Sequence, residues 1–162
     1  MSTSQQPLMT LLGQAEEARD AALAQFELSR KAHEGSRQQL QSLQDFRDQY
    51  QSRWQTQFRQ AGGMEIMRCY QDFMARLGDA VDDQRRRSEQ FNLSMERCRA
   101  ELIERERKVA AVTQLLERRE KEQLQKEVRR EQKATDELAA RLMASAPPGP
   151  MSAKSNLPPS SH

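Results

Sequence analysis

Apolar residues in this chain recur with a 4–3 stride, first over one long stretch and then over a second. From Leu8 the first stride visits Leu12, Ala15, Arg19, Ala22, Phe26, Ser29, His33, Ser36, Leu40, Leu43, Arg47, Tyr50, Trp54 and Gln57. It is apolar towards both ends and weak between Ser29 and Ser36. The second visits Met67, Tyr70, Met74, Leu77, Val81, Gln84, Ser88, Phe91, Met95, Cys98, Leu102, Arg105, Val109, Val112 and Leu116 without a break in step. A seven-residue repeat with two apolar positions is the pattern of helices that wind around one another left-handedly.

Proline and glycine fix where those helices can run. Every proline is Pro7 or lies beyond Ala146, and between Leu8 and Ala146 the one strong interruption is Gly62-Gly63. A proline inside a helix costs ~3 kcal/mol and a glycine ~1 kcal/mol relative to alanine. Pro7 suits a first helical position, and a diglycine accepts the positive φ of a tight reversal. The pattern predicts an all-α fold: two long helices in an antiparallel coiled-coil hairpin, with an unpaired C-terminal helical overhang and a disordered tail. The expected bounds are helix 1 over about 6–60, a turn at 61–64 and helix 2 over about 65–143, the hairpin domain being 1–143. Residues 144–162 form the tail, proline- and serine-rich and too polar to pack.

A turn at the diglycine sets the register. Tyr50 then opposes Met74, Leu43 opposes Val81, and Leu8 opposes Leu116, with His33 as a polar position tolerated on the seam. Residues 117–143 are left without a facing strip, yet they keep an apolar line through Leu124, Val128, Leu138 and Leu142. Single helices are marginal in water. The overhang therefore either docks into something else or stands as a solvated helix held by ion pairs along its surface.

Composition narrows the class. Charged residues make up 31% of the chain and apolar ones 36%, a balance that fits a narrow seam better than a three-dimensional core. A net charge of +2 gives no strong bulk attraction to nucleic acid or anionic lipid. The most basic stretch, 105–133, intersperses its Lys and Arg with Glu and offers no aromatic ring for a base to stack on. No apolar run approaches the ~20 residues of a membrane span. The opening residues lack the basic and apolar regions of a secretory leader, so a cytosolic location is expected. Cys69 and Cys98 would lie on one helix, roughly 43 Å apart at 1.5 Å per residue, too far to bridge. Neither has a metal-ligand spacing with His33 or His162. No phosphate loop or paired histidine–carboxylate motif is present, so a non-enzymatic chain with no cofactor or metal is expected.

Aromatic residues supply the candidate surface. Phe46, Tyr50, Trp54, Phe58, Tyr70 and Phe73 crowd around the turn. Gln39, Leu43, Phe46 and Tyr50 form one stripe, and Phe73, Leu77, Ala80 and Gln84 form another of the same spacing at a similar height on the facing helix. They make either an apolar shoulder for a partner or a wider contact where the helices splay.

The segments QQLQSLQDFRDQYQSRW before the turn, RCYQDFMARLGDAVDDQ after it and RREQKATDELAARL near the end resemble the flagellar export protein family FliJ, over about residues 8–143. That resemblance implies a small adaptor of the flagellar type III export apparatus, similar in fold to the stalk subunit of rotary ATPases. The implied partners are the export ATPase hexamer, the cytoplasmic domain of the export gate and the export chaperones. The chain would be a monomer alone, cytoplasmic and held peripherally at the inner membrane through the gate. Carried over by motif, the gate-binding surface falls on Gln39, Leu43, Phe46, Tyr50, Phe73, Leu77, Ala80 and Gln84. Position 46 is phenylalanine where the family often has tyrosine, and position 84 varies. The stalk analogy sends Leu8, Leu12, Arg118, Arg119, Leu124, Val128, Arg129, Arg130 and Leu138 into the ATPase ring. The competing reading is a structural coiled-coil protein that dimerises through its overhang.

Overall fold

A computed structural model describes residues 5–58, 60 and 62–150, with nothing stated for the side chain of Phe58. The described residues form helix α1 (Gln6–Arg53), a five-residue π-helical turn (Trp54–Phe58) and helix α2 (Met64–Ser145). The chain divides into two units, Met1–Leu116 and Glu117–His162.

The first unit is an antiparallel hairpin. Ascending α1, contacts to α2 descend it. Phe26 lies under the Arg99 guanidinium, 5.4 Å from the ring centroid, and Ser29 Oγ meets Cys98 Sγ at 3.2 Å. Ser36 and Gln39 meet Gln84, Tyr50 meets Phe73, and Trp54 meets Tyr70. This is the register that a turn at the diglycine demands. Among the described residues every buried side chain falls on the two 4–3 strides: Ala15, Ala22 and Ser36 on α1; Leu77, Val81, Gln84, Ser88, Met95, Leu102 and Val112 on α2. The fully buried α1 residues are thus all small, while the larger residues of its stride, such as Leu12, Phe26, Leu43 and Tyr50, are half-buried. Among the described residues Val81 alone of the large side chains is fully enclosed.

Where the α1 stride is weak, hydrogen bonds replace apolar contact. The Gln84 amide nitrogen donates into a cluster formed by the Ser36 carbonyl (3.1 Å), Ser36 Oγ (3.0 Å) and Gln39 Oε1 (3.2 Å). A buried amide without partners costs about 1–3 kcal/mol, so this layer holds only when the helices are in step. Ion pairs such as Arg105–Glu101 (2.8 Å) and Arg30–Glu27 (3.0 Å) join neighbours on one helix and stabilise the helices individually.

Several expectations need adjusting. Regular α-helix stops at Arg53, and the next turn widens to a π-helix as far as Phe58. Arg59 and Ala61, within the expected end of helix 1 and the turn, lie outside the described residues. Gly63 has no positive φ. Its carbonyl instead accepts from the Met67 N–H at 3.4 Å, placing it at the helix start, where glycine is tolerated. Phe91 and Met67, both on the stride, remain 42% and 47% exposed. Phe91 falls opposite the polar His33, which gives its ring little apolar cover.

In the second unit α2 continues to Ser145, two residues past the expected end, and Pro147, Pro148 and Pro150 stop any continuation. Its described side chains are exposed, with Gln123 half-buried. The expected disorder of residues 151–162, and the reading of residues 1–4 as lacking a leader, fall outside the described residues. No helix among the described residues is long and apolar enough to cross a membrane.

Burial decides where truncation hurts. Val81→Ala removes two enclosed methyl groups and is expected to destabilise the hairpin by about 2 kcal/mol. Leu124→Ala, at a 60% exposed site, should change stability by less than about 0.5 kcal/mol. Urea unfolding followed by far-ultraviolet circular dichroism measures both.

Candidate functional site

The two stripes converge beside the turn. The Phe46 ring lies 5.5 Å from Tyr50 and 6.3 Å, edge-on, from Phe73, while Tyr50 and Phe73 are 4.4 Å apart. Three rings from two helices therefore form one cluster. Such pairs contribute about 0.5–1.5 kcal/mol each beyond the area they bury. Phe46 remains 44% exposed, although two rings hold it in place.

The eight stripe positions divide by burial. Gln39 and Phe46 are exposed, Leu43, Tyr50, Phe73 and Ala80 half-buried, and Leu77 and Gln84 buried. Leu77 and Gln84 cannot be contact surface for a partner unless the seam opens. They act from beneath: Gln84 donates to Gln39 Oε1 and so fixes the exposed amide at the edge of the patch.

One turn nearer the loop lies a hollow of about 320 Å³, lined by Tyr50, Trp54, Ile66, Cys69, Tyr70 and Phe73. Trp54 and Tyr70, both in its wall, stack nearly parallel, 4.1 Å between centroids and 8° between planes. The stack occurs where α1 gives way to the π-helical turn, which begins at Trp54. Tyr50 and Phe73 belong both to the ring cluster and to the hollow, so the two are one continuous surface. An exposed ring beside a hollow of this size suits a protein partner that offers an apolar side chain among polar neighbours. Among the described residues no group of three His, Cys, Asp or Glu could hold a metal ion.

The ring-insertion residues distribute between the units. Leu8 and Leu12 are half-buried in the first. Arg118, Arg119, Leu124, Val128, Arg129, Arg130 and Leu138 belong to the second and are exposed. The spacing of aromatic residues could be read from the sequence, but the hollow could not. It depends on Ile66 and Cys69, which lie off the seam stride and have no pattern of their own.

A family model described as "Flagellar FliJ protein" matches residues 4–147. No curated protein and no solved structure matches the chain.

Trp54 is the sole tryptophan and reports on this surface directly. Tyr70→Ala uncovers one face of the indole. Its fluorescence emission is expected to shift to longer wavelength while helix content stays the same; an unchanged spectrum would mean that the stack is absent in solution.

Proposed function

This chain belongs to the flagellar FliJ protein family, whose members are components of flagellar export, and from that premise we propose that it is a non-enzymatic adaptor between the export ATPase hexamer and the cytoplasmic domain of the export gate. In this reading the aromatic shoulder binds the gate. What supports it is the convergence of Phe46, Tyr50 and Phe73 into one partly exposed cluster beside an open hollow. Phe46 is the anchor, because its ring is positioned in advance and still has surface to lose. Burying a phenylalanine side chain gains about 1.5–3 kcal/mol, and little ordering entropy opposes it when the ring is already held. Gln39 supplies a polar contact at the edge, and Leu77 and Gln84 keep the shoulder in shape from the seam.

The second unit is the part proposed to enter the ATPase ring. Support comes from fold analogy with rotary stalks and from the exposed arginines and apolar residues along its helix. Export chaperones are further partners in this reading, and the chain meets the membrane only through the gate.

Three variants test the two surfaces separately. Phe46→Ala alters an exposed ring and should leave helix content unchanged while reducing capture by the gate's cytoplasmic domain at least tenfold. Phe73→Ala should reduce it too. Equal capture of variants and parent would remove the shoulder from the account. A chain ending at Leu116 should still be captured by the gate domain but should no longer promote assembly or activity of the ATPase hexamer.

A further inference from the structure

The apolar line of the second unit is not the end of the hairpin seam. Carried past Leu116, the seam stride visits Arg119, Gln123, Lys126, Arg130, Lys133 and Glu137, all polar. The apolar residues follow a different stride: Leu124, Val128, Glu131, Thr135, Leu138 and Leu142, spaced alternately by four and three. Leu124, Val128, Leu138 and Leu142 are 55–63% exposed on the helix that carries them. This is a second seam, complete in its own register and with nothing among the described residues packed on it.

Its order indicates what would cover it. The stride is a palindrome about Lys133. Reversed, it sets Leu124 on Leu142, Val128 on Leu138 and Glu131 on Thr135. Apolar positions coincide with apolar ones, and the two polar positions coincide with each other. The flanking residues agree with this arrangement. In an antiparallel pair the residues beside the seam meet their own kind of position, which brings Glu127 against Arg141 of a second copy, twice by symmetry. A parallel pair would instead stack Glu131 on Glu131 inside the seam and leave Glu127 facing Gln132 with no charge to meet.

We propose that the second unit is a reversible self-association site, at which two copies of this chain pair antiparallel through Leu124–Leu142, Val128–Leu138 and Glu131–Thr135. The interface is isologous and closes at two chains. It spans only three heptads, one layer pair of which is polar, so it forms and dissolves with concentration. The argument rests on register and exposure and not on the flagellar reading. If both hold, self-pairing and entry into the ATPase ring compete for the same side chains.

Sedimentation equilibrium of the full chain alone tests the idea. Between about 1 µM and about 500 µM, the range in which weak specific association becomes visible, the average mass should rise from that of one chain towards two. Leu138→Glu should hold it at one chain without loss of helix content. Glu127→Arg and Arg141→Glu should each weaken the dimer severalfold, and the two together in one chain should restore it. Fourteen residues separate these positions on the helix, so the restoration can only come from a second copy. Direction is read by oxidation in a Cys69→Ser, Cys98→Ser background. Glu131→Cys and Thr135→Cys proteins should cross-link when mixed and not when each is alone. A single chain at every concentration, no restoration by the double reversal, or cross-linking of each variant with itself would overturn the proposal. The truncation and gate-capture results of the flagellar reading would be untouched by any of these outcomes.

Discussion

The constraint on which the hairpin depends is the seam between α1 and α2, a single strip that, among the described residues, buries three side chains on α1 and seven on α2. Among the described residues Val81 is its one fully enclosed large residue, and the buried positions on α1 are the small Ala15, Ala22 and Ser36. An interface this narrow has no depth in which to absorb an error of register. A shift of one residue would turn its apolar residues off the seam and strand the Gln84 amide away from Ser36 and Gln39. The polar layer thus selects one alignment, and the apolar layers on either side stabilise it.

Everything that distinguishes the surface follows from what the seam leaves out. Because α1 and α2 meet along one strip, aromatic residues one position away from it remain partly open to solvent. Near the turn these residues come from both helices, and the fixed register sets Phe46, Tyr50 and Phe73 at one height. The patch is as rigid as the alignment beneath it, which is how buried residues such as Leu77 and Gln84 bear on a surface they do not form. At the other end the seam's apolar stride stops at Leu116, the last residue of the first unit. The helix that continues beyond it bears an apolar stride in another register, and that change of step separates the two proposed roles of the molecule.

Much of this was legible in the sequence. The 4–3 strides carry every buried residue among those described, and two long helices with an antiparallel pairing were written in them. The two stripes could be drawn before any contact was known. Their division into contact and support could not, because burial at Leu77 and Gln84 depends on what faces them. The layer at Ser36 is weak by hydrophobicity alone, since Ser36, Gln39 and Gln84 are all polar. Its strength lies in a geometry of donors and acceptors that no periodicity encodes. The π-helical turn at Trp54 was likewise invisible, since no proline or glycine announces it. With it went the hollow, which needs Ile66 and Cys69 beside the Trp54–Tyr70 stack. Gly63 stands just before the helix that starts at Met64 and does not use a left-handed backbone.

The central claim is that the helices lie side by side along the length of the first unit. A spin-label distance between Glu17→Cys and Arg107→Cys tests it most directly, in a Cys69→Ser, Cys98→Ser chain diluted with unlabelled protein. Both positions are exposed and lie at the same height in the antiparallel register, on the outer faces of the two helices. With helix axes about 8–10 Å apart and the label tethers added, the account predicts one narrow distance below about 35 Å. An uninterrupted rod would separate the same residues by roughly 135 Å at 1.5 Å per residue, and the absence of any short distance would contradict the hairpin and both surfaces built on it.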